Sequence, residues 1–515
     1  MNTFKRKALF AAVVASLGTV GTAEAVYLNP NRTGQALIYP YFTARSTNGN
    51  DWNTYLSVVN TTTRAKAVKV RVLEGKTSNE VLDFNLFLSP NDVWTAAIVP
   101  SSSGGAAILT ADVSCTRPAI PATGQDFLNF QYSRAGTIDA AIDSSLDRTK
   151  EGYVEMLEMA TLTGATAAAV THVNGVIPDG CATVQASSFT TVPAADQLPP
   201  SGGLMGTGTL INVASGLNGD YKADALEAWS NTQQYTDSGF TIPRLDNATP
   251  GISVVTRAGD LDATGASTRV TAYRTEFADT VGGPTAGAKA VASVFMHSSV
   301  MNEYILDNAT ASLTDWVLTQ PLKNVFVLPD GTTAFAPYTN RLTTSGACET
   351  IGFTFFNREE QSAAAGGTQF SPTPPGGQPN SLCWESTILS IRNDDAHTQV
   401  STTTSAVLGS KDLTNVTVRS GFQNGWAELS FTGAGASAVG LASSGLGGSA
   451  QVSLGNDFGP GPVTPTNNEV TFFGLPVTGF AMRTFTNGTL TCSTGSCQGN
   501  YGGLFEHSYR TTITP

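Results

Sequence analysis

The chain has 515 residues, with 28 Lys+Arg against 40 Asp+Glu and a formal net charge of −12. Charged residues make up only 13%, about half the share usual in soluble domains. An acidic chain without a long basic run excludes nucleic acid as a partner, because phosphate recognition requires clustered Lys and Arg.

The N-terminus reads as an export signal. Lys5, Arg6 and Lys7 precede a small, apolar stretch from Ala8 to Gly21, and Ala23-Glu24-Ala25 supplies a small-x-small cleavage site, so residues 1–25 are expected to be removed. That stretch is too short to cross ~30 Å of hydrocarbon, and no later run of about 18 apolar residues occurs, so no helical membrane span is expected. In an oxidising destination the six cysteines are expected to form disulfides. Their three sequence clusters favour Cys115–Cys181, Cys348–Cys383 and Cys492–Cys497. No Cys-x-x-Cys pair occurs and no His lies close to a cysteine pair, which argues against zinc.

From Val26 the pattern is β. Ala36–Thr43 and Tyr55–Val59 are β-rich runs. Val68, Val70 and Val72 alternate with Lys69 and Arg71, and Leu82, Phe84, Leu86 and Leu88 repeat the period of two. Pro90-Asn91-Asp92 turns the chain into Val93–Val99. The expected fold is therefore mainly β, with an antiparallel, immunoglobulin-like N-terminal sandwich followed by further β-rich domains with a few short helices. The expected divisions are 26–200 for that sandwich and its disulfide-closed loops, 201–345 for a mixed α+β middle region, and 346–515 for a C-terminal β-rich domain.

In the middle, Tyr153–Ala160 fits either a strand or a helix, and Ala223–Trp229 fits one or two helical turns. Ala288–Ile305 reads as helix, and Thr314–Leu318 and Val325–Leu328 as strands. A loop over 360–380 leads to short strands at Ser386–Arg392, Val416–Val418, Trp426–Phe431 and Val470–Phe473. Residues 432–462 form a Gly-rich excursion, and Asn487-Gly488 between β-prone flanks predicts a tight hairpin.

Several blocks resemble an uncharacterised family of exported Gram-negative bacterial proteins labelled only as cell surface proteins. They are Leu28-Asn29-Pro30 with Gly34-Gln35-Ala36-Leu37-Ile38-Tyr39-Pro40-Tyr41, Ser57-Val58-Val59-Asn60-Thr61-Thr62, Val81-Leu82-Asp83-Phe84-Asn85, and Leu88-Ser89-Pro90-Asn91-Asp92-Val93-Trp94. Met301-Asn302-Glu303-Tyr304, Thr314-Asp315-Trp316-Val317 and Asn500-Tyr501-Gly502-Gly503-Leu504-Phe505-Glu506-His507 extend the match over nearly the full length. The resemblance implies export and a surface location, with no activity attached.

Chemistry is sparsely signalled. There is no nucleophile elbow, His-Glu-x-x-His helix or phosphate loop. The four histidines, His172, His297, His397 and His507, read as structural or exposed. Glu151, Glu155 and Glu158 suggest paired carboxylates, as does Asp394-Asp395 beside His397, but a solvated face accounts for the three glutamates. Asp260-Leu261-Asp262-Ala263-Thr264-Gly265 resembles a truncated calcium loop without the third carboxylate and the distal Glu. Calcium at Asp260 and Asp262 is therefore the one cofactor considered. Trp52, Trp94, Trp229, Trp316, Trp384 and Trp426 are spaced singly, as core anchors are.

Together these features describe an exported structural or adhesive protein of the cell surface without catalytic activity, with the periplasm as the alternative destination. Its expected partners are further copies of itself or components of the envelope and extracellular matrix. A secreted polysaccharide-binding protein or glycoside hydrolase is the alternative.

Overall fold

The computed structural model describes residues 25–514 apart from 174–176, 179, 262–267, 365–379, 400, 432–439, 443–448, 455–459, 467–469 and 493–494. The expected export signal up to residue 24, Asp262 and the side chains of Asp260, Cys492 and Cys497 lie outside the described residues. So do 432–439, 443–448 and 455–459 of the excursion expected over 432–462, whose described residues form the strands Gly440–Ala442, Ser449–Leu454 and Pro460–Thr466 instead of a loop.

The chain is mainly β, and nearly all its strand pairs are antiparallel. In the first part the strands used below are β1 (Tyr27–Leu28), β2 (Ala36–Thr43), β3 (Asn53–Asn60), β4 (Lys66–Glu74), β5 (Glu80–Leu88), β6 (Val93–Pro100) and β7 (Ala106–Leu109). They continue with β8 (Cys115–Arg117), β9 (Gln125–Asp126), β10 (Glu151–Leu162), β11 (Gln197–Leu198), β12 (Leu204–Asn212), β13 (Leu217–Lys222) and β14 (Asp224–Glu227). One sheet runs β1-β14-β2-β10-β4-β5-β8, with β11 beside β10. The other runs β9-β7-β6-β3-β12-β13. The two face each other over a core that includes Tyr39, Leu56, Val70, Trp94, Met156 and Leu210. The alternation of Val68, Val70 and Val72 produces this packing: all three valines enter the shared core, and each buried side chain contributes about 1.5–3 kcal/mol.

The second part contains β15 (Ser299–Ile305), β16 (Leu313–Thr319), β17 (Gly352–Asn357), β18 (Ser362–Ala364), β19 (Ser386–Arg392), β20 (Leu413–Thr417), β21 (Asn424–Ser430), β22 (Thr478–Cys492), β23 (Gly495–Glu506) and β24 (Ser508–Arg510). They form the sheets β18-β17-β21-β15-β24 and β20-β19-β16-β22-β23. Trp316 and Leu389 pack inward with Val300, Phe353, Ala427 and Leu429. The opposite face of the second of these sheets sends Val317, Ile388, Phe480 and Met482 into the core of the first sandwich. That sheet is thus apolar on both faces and joins the two halves. Tyr221 of β13 stacks on Phe480 at 5.0 Å.

Strand pairing crosses the divisions expected at residues 200 and 345. β12 and β14, after residue 200, pair with β3 and β2, while β16, before 345, pairs with β19 and β22. A strand takes the neighbour that completes its register and covers its apolar face, wherever that neighbour lies in the chain.

Several local expectations change in the structure. The ambiguous Tyr153–Ala160 segment lies in strand β10, and the expected helical turns at Ala223–Trp229 contain strand β14. The helix expected over Ala288–Ile305 is only α1, Ala286–Val294, after which the chain returns to strand. Its small residues permit close packing: a Cβ on Gly287 would lie 2.2 Å from the Ala248 carbonyl oxygen. The strand expected at Val325–Leu328 is replaced by a short helix, α2, at Lys323–Phe326. Asn487-Gly488 does not close the hairpin. Pairing continues from Asn487↔Gly499 to Cys492↔Gly495, with a register shift at Gly488, whose φ of 60° suits glycine.

Cys115 pairs with Cys181 across 66 residues of sequence, and Cys348 pairs with Cys383 across 35. Among the described residues no helix is long and apolar enough to cross a membrane.

Candidate functional site

The valine alternation of β4 places Lys69 and Arg71 on the opposite face of the sheet from the shared core. Other parts of the chain cover that face, so its charges are buried. Arg71 donates to Glu80 (2.8 Å) and Glu155 (2.5 Å). Lys69 donates to Asp83 and to the Phe240 carbonyl, both at 3.0 Å. Lys66 donates to Glu158 at 2.7 Å. Glu151 accepts from Arg45 (2.8 Å), Tyr41 (2.9 Å) and the Lys411 amide (3.1 Å). The three glutamates expected on a solvated face are therefore buried, each neutralised by a cation from a neighbouring strand or turn. Buried charges persist only where such partners replace water.

Next to this charged layer is a cavity of about 450 Å³. One wall is the turn after β4. Glu74 shapes it by accepting the backbone N–H groups of Lys76 (2.8 Å), Thr77 (3.1 Å) and Asn79 (2.8 Å). Arg148 holds Glu74 from behind through bonds of 2.6 and 2.9 Å. Together Arg148 and these amides keep the Glu74 carboxyl below the usual carboxylate range, against the opposing effect of burial. The second wall comes from the other half of the chain: Lys323 at the start of α2, and Cys383 and Glu385 leading into β19. The walls are joined through the backbone, where the Glu385 and Ser386 amides donate to the Lys76 (3.2 Å) and Gly75 (2.8 Å) carbonyls. Exposed Thr241, Arg244 and Gly282 line a third side.

Two groups in this cavity are not neutralised by a close partner. The Glu385 side chain is buried (3% exposed), and its Oε2 has no hydrogen-bond partner among the described residues. Burial pushes its carboxyl well above the usual carboxylate range, opposed in part by Lys323 and Ser78. Lys323 is 2% exposed. Its Nζ makes one long bond, 3.4 Å, to the Leu382 carbonyl and lies 5.6 Å from the Tyr338 ring centroid. Burial pulls its ammonium down to about 8, while Glu385 and Glu349 favour the charged form. Both groups thus face one cavity, an acid whose neutral form burial favours and an amine whose charge burial opposes. Perturbed titratable groups gathered in a cleft are the physical signature of a binding or reacting site.

No expected site residue belongs to this cluster except Cys383. Asp260 lies in the strand Ile252–Leu261, and its side chain and Asp262 are outside the described residues. The histidines are dispersed. His172 contacts Ser89 at 2.9 Å, His297 stacks on Tyr509 at 4.1 Å, and His397 meets the Ser312 carbonyl at 3.2 Å. His507 bonds the Val317 carbonyl (3.1 Å) and Asn302 (3.0 Å), and burial pulls it down to about 4. Among the described residues no group of three metal-binding side chains comes together. Trp52, Trp94, Trp229 and Trp316 are buried core residues. Trp384 is half-buried with the Lys76 ammonium 4.4 Å from its ring, and Trp426 is stacked on Phe356 at 4.2 Å.

Sequence reading missed Glu385 and Lys323 because neither belongs to a motif. The only local signal was a Lys and a Glu in otherwise apolar or Trp-containing surroundings. Compared with known proteins, the chain matches no family model, no curated protein and no solved structure.

Proposed function

We propose that this chain is an exported cell-surface protein with a structural or adhesive role and no catalytic activity, interacting with copies of itself or with envelope and matrix components. One observation carries the proposal: the outer face of the β9-β7-β6-β3-β12-β13 sheet. Its central strands β6, β3 and β12 alternate buried and exposed residues. The outward positions are Asn53, Tyr55, Ser57, Val59, Val93, Thr95, Ala97, Val99, Met205, Thr207, Thr209 and Ile211, none of them charged. Tyr55 is 53% exposed and Met205 42%. These three strands present an uncharged, partly apolar strip, flanked on β13 by exposed Asp220 and Lys222, and such a strip is a surface on which another chain can pack. Two antiparallel sheets sharing a core support the immunoglobulin-like part of the reading.

Light scattering and electron microscopy of the purified protein, with binding to isolated envelope and matrix material, test this proposal. Tyr55→Glu with Met205→Glu is expected to abolish assembly or attachment while shifting stability by no more than about 0.5 kcal/mol, as for exposed sites. A wild-type monomer that binds neither material refutes it.

A second reading, a saccharide-binding protein or glycoside hydrolase, is favoured by the Glu385–Lys323 cavity alone.

A further inference from the structure

The cavity also defines a ligand chemistry. Lys323 is a buried cation that makes no ion pair with a carboxylate among the described residues, and Glu385 presents a buried oxygen without a partner a short way along the same wall. The other charges lining the chamber are already matched. Arg71 is held by Glu80 and Glu155, Lys76 by Asp412, Arg244 by Asp246, and Asp139 by Arg148. Val325, Val327, Leu328 and Leu342 supply an apolar side. At about 450 Å³ the space accommodates a molecule of monosaccharide size.

We propose that this cavity binds a small hydroxylated carboxylate, its carboxylate on the Lys323 ammonium and a hydroxyl group on the Glu385 carboxyl. The ligand supplies a carboxylate in contact with Lys323 and a hydrogen-bond partner for Glu385 Oε2, neither of which the described residues provide, while the other charges lining the chamber are already paired. Exposed Thr241, Arg244 and Gly282 line the side open to solvent. This inference rests on the reading of the cavity as a ligand site, of which the saccharide reading is one case, and is independent of the sheet-face proposal. Two sources share the chemistry: the uronate unit of an acidic polysaccharide and a free hydroxy acid.

Isothermal titration calorimetry of the purified protein with glucuronate, malate and glucose at pH 7 separates the cases. Binding of glucuronate but not malate assigns a uronate, and binding of malate assigns a free hydroxy acid. In either case Lys323→Met is expected to weaken binding about 10- to 100-fold, the range for losing a charge-assisted hydrogen bond, and Glu385→Gln to weaken it less. Lys323→Met removes an unpaired buried charge, so its unfolding midpoint is expected to match or exceed that of the wild type. Affinity of the wild type is also expected to fall as pH rises above about 8, where Lys323, faced by Glu385, Glu349 and the Tyr338 hydroxyl, loses its proton. Binding of glucose with no binding of either carboxylate overturns the inference and leaves the saccharide reading standing. No binding of any probe, or binding unchanged by Lys323→Met, overturns it as well.

Discussion

Replacing Arg148 with Met tests whether the buried charge layer holds the candidate site in shape. The Arg148 side chain is fully buried. Its guanidinium donates to both Glu74 oxygens at 2.6 and 2.9 Å, to Asp139 Oδ1 at 2.9 Å, and to the Asp139 and Asp143 carbonyls at 3.2 and 3.1 Å. It also lies 4.3 Å from the Tyr132 ring centroid. Methionine fills much of the same volume but provides none of the donors. Glu74 then keeps three backbone amides and the Thr77 hydroxyl (3.2 Å), and the oxygens of Asp139 and Asp143 lose a donor. Removing one partner of a buried pair costs about 3–5 kcal/mol, because the remaining charge stays out of water. The residual amides to Glu74 place the expected loss toward the lower end. Adding Glu74→Gln removes the stranded charge, so the double variant is expected to lose less than the sum of the single variants by at least ~1 kcal/mol. Urea unfolding followed by tryptophan fluorescence reads the midpoint, with an unchanged slope indicating a stability effect alone. A single-variant loss below about 1 kcal/mol, or strict additivity of the two substitutions, refutes the reasoning. It would mean that the pair is incidental to the turn that walls the cavity.

The remaining predictions concern pH and crosslinking. Burial beside the Glu151 carboxylate pushes Asp412 from 3.8 up to about 6. Between these values the folded state holds a proton that the unfolded state has released, so stability rises as pH falls through this window. Asp412→Asn is expected to remove about 3 kcal/mol of that rise, because each tenfold gain in proton affinity on folding is worth about 1.4 kcal/mol. Denaturation midpoints measured from pH 7 to pH 4 check it. Glu74 and Glu151 are shifted the other way, held low by Arg148 and Arg45 respectively against burial. The stability they contribute is present at neutral pH and is lost as acid protonates them, so unfolding is expected at strongly acidic pH, as circular dichroism would show. Replacing Cys115 and Cys181 together with alanine opens a 66-residue loop and is expected to cost about 4 kcal/mol. Thermal melts of the variant, and of the wild type with and without reductant, measure the loss, and an unshifted melt counts against this crosslink.

The β class was legible in the sequence because strand alternation is a local property. The valines of β4 and the leucines of β5 declare a buried and an opposite face without reference to the rest of the chain. Two of the expected disulfides, Cys115–Cys181 and Cys348–Cys383, were legible because each joins cysteines consecutive in the chain. Local pattern does not say what covers the opposite face. Lys69 and Arg71 have the spacing of a solvated surface, yet residues around 235–246 cover them and supply carbonyl partners to Lys69. The same limit applies to short elements: at Val325–Leu328 and Ala223–Trp229 tertiary packing overrode local preference, and at Asn487-Gly488 continuing strand pairing turned an expected hairpin into a bulge. The cavity was decided entirely by the tertiary structure. Ser78, Lys323 and Glu385 share it because sheet pairing and the backbone bonds of Gly75 and Lys76 to Glu385 and Ser386 bring the two halves together. The chemistry of the buried acid and amine follows from their removal from water there, a property of the assembled fold that neither residue's sequence neighbours carry.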